Sequence, residues 1–169
     1  MIFVTVGTQL GFDRMLAAVD AWAGRNPDTK VFAQTGPTRL QLKNLECKPF
    51  VSPSRADQLV QESSLIVAHA GMGSILTAMR HSRPILIMPR HASLGEHRND
   101  HQLATARWLA TRPGVVVAWN EQELVERLDQ RGSLGASGGL PPVADGPLVQ
   151  RLHAYLQGAG IGSDSPSRT

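Results

Sequence analysis

The stretch Leu65-Ile66-Val67-Ala68-His69-Ala70-Gly71-Met72-Gly73-Ser74-Ile75-Leu76-Thr77 constrains the fold most, because its hydrophobic period changes across a glycine turn. Leu65 to Ala68 is an unbroken apolar run ending at a polar histidine, as in a strand covered on both faces. Beyond the glycines, Ile75, Leu76 and Met79 share one helical face, and Ser74 opens a helix expected to run to His81. Where a buried strand feeds directly into a helix, the first N–H groups of the helix lack intrahelical acceptors and its dipole presents a positive end. Such a junction attracts anions, phosphate above all. Glycine serves it twice, by adopting positive φ and by having no Cβ to hold a diphosphate off the backbone. A tight connection with no ligand has the same outline, and the segment matches neither the P-loop pattern nor the full GxGxxG fingerprint.

The same alternation runs through the chain. Ile2 to Val6 reads as a doubly covered strand, followed by the turn Gly7-Thr8-Gln9-Leu10-Gly11. Phe12, Met15, Leu16, Val19, Trp22 and Ala23 recur at helical steps until Asn26-Pro27. Lys30 to Gln34 is expected to be a second strand and Cys47 to Val51 a third, with 39 to 46 ambiguous between them. Ser52-Pro53-Ser54 leads into a helix that Ser54 is placed to cap, with Asp57 following in the first turn. Arg83-Pro84 separates the central helix from Ile85 to Met88, another doubly buried strand, and Pro89 to His97 is a polar loop. Asp100 to Ala110 is helical through Leu103, Ala106 and Leu109, and Val115 to Val117 makes a sixth strand. Asn120 with Glu123 opens a helix through Leu124, Val125 and Leu128 in the manner of a capping box.

Strand and helix alternating in this way imply an α/β fold over residues 1 to 131, a Rossmann-like doubly wound parallel sheet of about six strands. Ligands of such sheets sit beyond the carboxyl ends of the strands where the winding reverses. The turns after the first and fourth strands should therefore face one crevice. Residues 132 to 147 read as a flexible linker, 148 to 157 as a helix packing back through Leu148, Leu152 and Tyr155, and 158 to 169 as a loose tail.

At 169 residues with 41% hydrophobic content, the chain is long enough for one well-buried core and too short for two domains of ordinary size. The start at Ile2-Phe3-Val4 lacks the basic lead of a secretory signal, and no segment approaches the roughly 20 apolar residues of a membrane span. A cytoplasmic location is expected. The single cysteine, Cys47, excludes an internal disulfide and any multi-cysteine metal site, and reads as a small core or strand residue. A net charge of +3 favours a negative partner, with nucleotide phosphates, an anionic membrane surface and nucleic acid all open on charge alone. The low aromatic content, 5%, without aromatic-basic interleaving, makes nucleic acid the weakest of these.

Taken together, Phe3-Val4-Thr5-Val6-Gly7-Thr8-Gln9, His69-Ala70-Gly71-Met72-Gly73-Ser74, Pro84-Ile85-Leu86-Ile87-Met88-Pro89 and Asn99-Asp100-His101-Gln102 resemble the Alg13/PssE-type proteins. Those are similar to the C-terminal, nucleotide-sugar-binding half of GT-B glycosyltransferases of the MurG class, family 28. The likeness covers roughly residues 1 to 130, and several motifs in order are more specific than any single glycine turn. It implies one half of a GT-B fold that binds a UDP-sugar, with the diphosphate against Gly71, Met72, Gly73 and Ser74 and with Gly7, Thr8 and Gln9 on the opposite wall. His101 and Gln102, with Asn99 in the same motif, fall where the family places polar contacts to the donor. N–H groups positioned where the diphosphate gains charge stabilise the transition state without a metal, so no cofactor is implied.

One departure bears on the nucleoside. MurG-like proteins carry a glutamate for the ribose hydroxyls at the position that Thr77 occupies here. A single hydroxyl cannot accept two hydrogen bonds from a diol as a carboxylate does, so ribose binding is expected to be weaker or rearranged. A GT-B enzyme also needs two Rossmann-like domains. The resemblance therefore implies a partner, a membrane-anchored Alg14/PssD-like subunit binding a polyprenyl-diphosphate-linked acceptor at the inner face of the cytoplasmic membrane. The implied activity is an inverting hexosyl- or N-acetylhexosaminyltransfer in polysaccharide or glycolipid biosynthesis. A non-catalytic nucleotide-sensing or interaction module with the same fold is the rival, and a self-sufficient homo-oligomer is a third possibility.

Single residues keep two readings each. His69 either touches a phosphate, as the one weak candidate for a catalytic group, or is bonded to backbone while it orients the turn. Glu96 either contacts ribose or sugar or is a solvated loop charge. Arg90 and Arg98 either neutralise a diphosphate, face lipid headgroups, or are exposed loop arginines. His91, His97 and His101 with Glu96 and Asp100 lack the spacing of a known zinc motif, so polar-loop and donor-contact roles outweigh a metal site and no metal is expected.

Overall fold

A computed structural model describes residues 1–135, which lie within one unit spanning Met1–Gly139. The linker beyond residue 135, the helix expected over 148 to 157 and the tail from 158 lie outside the described residues. In chain order the elements are β1 (Ile2–Thr5), α1 (Asp13–Arg25), β2 (Val31–Gln34), β3 (Glu46–Lys48), α2 (Pro53–Glu62), β4 (Leu65–His69), α3 (Met72–Arg80), β5 (Ile85–Met88), α4 (His101–Leu109), β6 (Val115–Val117) and α5 (Glu121–Asp129). Short 3₁₀ turns lie at Ala92–Leu94 and Arg131–Ser133.

The strands form one six-stranded parallel sheet in the order β3-β2-β1-β4-β5-β6. The winding thus reverses between β1 and β4, whose register pairs Thr5 with Ala68. Polar alternation is missing from the central strands because both faces are covered. On one face Ile2, Val4, Val67 and Leu86 pack with Leu16, Val19 and Trp22 of α1 and Leu124 and Leu128 of α5. On the other, Phe3, Ile66, Ile85 and Ile87 meet Leu59 of α2, Ile75 and Ala78 of α3, and Ala106 and Leu109 of α4. Each fully buried Leu, Ile or Phe contributes about 1.5–3 kcal/mol, so this double seam fixes the sheet.

The ambiguous segment 39 to 46 is a loop that ends in β3. Asp20 of α1 pins it by accepting the Lys43 and Asn44 amides at 3.0 and 2.8 Å. The third strand is shorter and earlier than expected, at Glu46–Lys48, and all its residues are exposed. Cys47 is exposed with them, on the sheet edge and outside the core. Ser52, not Ser54, caps α2, accepting the Arg55 amide at 3.2 Å, because Pro53 takes the first helical position. At α5 the expected cap is present: Asn120 Oδ1 accepts the Glu123 amide at 2.8 Å, and Glu123 reaches back to the Trp119 amide at 3.0 Å.

Candidate functional site

The helix α3 starts two residues before Ser74, at Met72, with Gly71 as its N-cap and no side chain capping it. The first intrahelical bond runs from the Ile75 amide to the Gly71 carbonyl at 3.3 Å. The amides of Met72, Gly73 and Ser74 are therefore beyond reach of any carbonyl of their own helix. Gly73 and Ser74 line a cleft of about 710 Å³ at the carboxyl ends of β1 and β4, where the sheet reverses.

The two glycines of this junction do different work. A Cβ on Gly71 would sit 2.1 Å from His69 Nε2, so the missing side chain makes room for the histidine ring. A Cβ on Gly73 would meet nothing within 4 Å, so it faces open space. Across the cleft, Gly7 has φ +79°, the left-handed region, and a Cβ there would lie 2.8 Å from His69 Cε1. Thr5 Oγ1 accepts the Gly7 amide at 3.1 Å and Gln34 Nε2 donates to the Gly7 carbonyl at 3.3 Å, which fixes the turn carrying Thr8 and Gln9.

His69 is thus wedged between the two glycine turns. Burial, joined by the charge of Arg90 and only partly opposed by the Thr5 backbone, pushes its pKa down to about 4. The ring is neutral at pH 7 and its Nδ1 has no hydrogen-bond partner among the described residues. Arg90 is not the exposed loop arginine of one reading, being only 3% exposed. Its Nη2 donates to the carbonyls of Val6, Leu10 and Gly11 at 2.8, 2.6 and 3.3 Å, and its guanidinium lies over the Phe12 ring, 5.2 Å from the centroid. This arginine ties the loop after β1 to the end of β5. Its hydrogen-bond acceptors are all carbonyls, and although the Glu96 charge acts on it from a distance, its positive charge also acts on the cleft that it lines.

Of the residues singled out in the sequence, Gly7, Thr8, Gln9, His69, Gly71, Gly73, Ser74, Thr77 and Gln102 line the cleft. Gln102 is buried, and its Oε1 accepts the Arg90 amide at 3.1 Å. The Thr77 hydroxyl donates to the Gly73 carbonyl at 2.9 Å, one turn back in α3. Met72, Glu96, Asn99 and His101 do not line it. Met72 is 41% exposed beside the helix start. Asn99 Oδ1 accepts the His101 amide at 3.3 Å, a bond internal to the loop before α4.

Glu96 has a different engagement from the donor contact considered for it. Its two oxygens accept from Arg14 Nε and Nη2 at 2.7 and 2.9 Å, and Oε2 also accepts the His91 amide at 2.9 Å. Burial pushes the Glu96 carboxyl up, but the Arg14 guanidinium and the His91 amide outweigh it and hold it below its ordinary value. Glu96 therefore anchors the loop after β5 to α1. Asp100 is occupied similarly, accepting the Ala92 amide at 3.0 Å. No cluster of His, Cys, Asp and Glu suited to a metal ion occurs among the described residues.

Gln34, Arg80 and Asp57 are cleft residues that the sequence does not single out as such. His97, for which the sequence favours a polar-loop or donor-contact role over a metal site, lines the cleft as well. Gln34 had a signal, since it ends β2 in register with Thr5 at the sheet's carboxyl edge. Arg80 and Asp57 had none, because their meeting depends on how α2 and α3 pack.

A parallel sheet in this order, with an uncapped helix start and an electropositive cleft at its switch point, defines a Rossmann-like domain suited to an anionic ligand. Residues 1–133 match the glycosyltransferase family 28 C-terminal domain, and the chain belongs to that family. Its fold is similar to that of the glycotransferase of kitacinnamycin, at 17% identity and a TM-score of 0.60, over 78% of this chain and 34% of that one. It is similar also to ALG13 in solution, at 18% identity and a TM-score of 0.59, over 89% of this chain and 93% of ALG13. MurG of Acinetobacter baumannii aligns at 19% identity and a TM-score of 0.54, over 78% of this chain and 42% of MurG. The chain therefore spans about a third of the kitacinnamycin enzyme and less than half of MurG, but nearly all of ALG13. No curated protein sequence matches it.

Proposed function

We propose that this chain is the donor-binding subunit of a two-component inverting glycosyltransferase that uses a UDP-sugar. The observation that carries the reading is the open, uncapped start of α3 beneath the switch-point cleft, with the Gly73 backbone unshielded and Arg90 hydrogen-bonded to carbonyls. A diphosphate seated there receives hydrogen bonds from the Gly73 and Ser74 amides and the positive end of the helix dipole. Transfer breaks the bond between the anomeric carbon and the diphosphate as the acceptor hydroxyl attacks from the opposite face. The leaving UDP gains charge where those amides already point, so the chemistry asks for no metal.

The acceptor hydroxyl's proton goes to a general base on the acceptor side. His69 is a poor base at about 4, with its ring confined between Gly7 and Gly71. A membrane-anchored partner subunit supplies that side together with a polyprenyl-diphosphate-linked acceptor. The likeness in fold to nearly all of ALG13, set against less than half of MurG, supports a partner. The chain then works at the inner face of the cytoplasmic membrane in polysaccharide or glycolipid assembly.

Calorimetric titration of the full chain with UDP, UDP-sugars and ADP, with and without the co-expressed partner, tests this reading. Uridine-selective binding and sugar transfer only with both subunits are expected. Transfer by the chain alone would overturn the two-component arrangement, and no uridine-selective binding in either state would overturn the donor-binding role.

A further inference from the structure

Asp57 of α2 is the only carboxylate among the described residues that line the cleft. It meets Arg80, the last residue of α3, and the cleft is lined also by the apolar Phe3, Val51, Val60 and Ile66. An exposed aspartate bound for solvent alone would not be held, yet this one is. Arg80 Nη2 donates to Asp57 Oδ1, and His81 Nε2 meets the same oxygen at 3.0 Å. Both contacts fall on Oδ1, so neither of them occupies Oδ2. The His81 hydrogen bond, with Arg80 behind it, keeps the carboxyl below its ordinary value, so it is an acceptor throughout the neutral range.

The position along α3 gives the carboxylate its ligand. From Ser74 to Arg80 the helix rises about 9 Å, the scale of a pentose attached to a diphosphate. Thr77 stands between, but its hydroxyl proton is already directed to the Gly73 carbonyl. What the cleft lacks at this level is an anionic acceptor for hydroxyl groups, and Asp57 is that acceptor.

We propose that Asp57 receives the ribose hydroxyls of the bound nucleoside diphosphate through Oδ2, held in place by Arg80 and His81, and makes the cleft selective for ribonucleotides over 2′-deoxyribonucleotides. The proposal rests on the donor-binding reading above, and the experiment separates the two. UDP and 2′-deoxy-UDP are titrated calorimetrically into the full chain and into its Asp57→Asn and His81→Gln variants, with circular dichroism as the check on folding. The unaltered chain is expected to favour UDP by about tenfold or more, since hydrogen bonds to charged groups are the strong ones. Asp57→Asn is expected to bring the preference to about twofold by weakening UDP far more than 2′-deoxy-UDP, and His81→Gln to lower it part of the way. A purely structural role would weaken both nucleotides equally and leave the ratio unmoved, which overturns the proposal. A preference near one in the unaltered chain overturns it as well. Should neither nucleotide bind the unaltered chain, with or without the partner, the donor-binding reading falls first and Asp57's role with it.

Discussion

Replacing Gly73 by alanine pulls stability and binding in opposite directions, which few substitutions at a glycine do. The residue lies in the first turn of α3, a Cβ there meets nothing within 4 Å, and its φ is not positive. Alanine is therefore free of strain and gains from its higher helix propensity and from a less flexible unfolded chain, together about 0.5 kcal/mol at a helix end. At roughly 2 cal/mol/K per residue of unfolding entropy, that raises the melting temperature by about 2 °C. The open space over Gly73 is also where the diphosphate must approach the backbone. A methyl group there removes at least one charge-assisted hydrogen bond, about 1.5–3 kcal/mol, or about 10- to 150-fold in affinity for UDP. Differential scanning fluorimetry and calorimetric titration with UDP read the two effects on one sample. A variant that melts at or above the unaltered chain and yet binds UDP within twofold of it would show that the diphosphate lies elsewhere.

Gly71→Ala is expected to destabilise the fold by about 1–3 kcal/mol in urea titrations, because its Cβ would lie 2.1 Å from His69 Nε2. Adding His69→Ala should recover part of that loss, and strict additivity in the double-mutant cycle would refute the clash. Acid should cost the fold stability through His69, whose folded pKa of about 4 lies below its unfolded value. The unfolded chain then takes up the proton first, so His69 makes no difference above about pH 6.5 and stability falls as the pH drops toward 4, by roughly 2.5 kcal/mol at pH 4.5. His69→Gln should flatten the urea-derived stability over that interval, and an unchanged slope would contradict a buried neutral ring. Glu96→Gln is expected to cost about 1–3 kcal/mol and to speed hydrogen exchange at the His91 amide while leaving UDP affinity within about threefold. A far larger loss of UDP binding, with exchange unaltered, would return Glu96 to the donor site.

Why some of this was legible in the sequence and some was not follows from where each signal is stored. The strands Ile2–Thr5, Leu65–His69 and Ile85–Met88 are covered on both faces, so burial itself writes a continuous apolar run into the chain. The edge strand Glu46–Lys48 is exposed throughout and has no such run, so its bounds leave no apolar trace in the sequence. The α2 cap was misplaced although Pro53 held the information, since a proline at the first helical position puts the cap one residue before it. Early helix starts are harder: Gly73 disfavours a helix, and the bond from Ile75 to the Gly71 carbonyl is what shows that α3 has begun.

The site divides along the same line, and the division explains how the cleft is built. Backbone features, such as the turn at Gly7 and the open amides of α3, are local and leave glycines in the sequence as their trace. The charges that tune them are not local. Arg90 is caged by carbonyls about 80 positions earlier, Arg14 holds Glu96 from 82 positions away, and Asp57 finds Arg80 and His81 across a helix pair. A loop arginine bound for solvent and one buried at the floor of a cleft are spelled identically. It follows that the glycine turns suffice to announce an anion site, whereas the choice among anions rests on side chains that only the packed sheet brings together. If that is so, exchanging Gly73 should weaken UDP and inorganic diphosphate alike, while exchanging Asp57 should weaken UDP and spare the diphosphate. A loss of diphosphate binding on Asp57→Asn would break this separation of anchoring from selection.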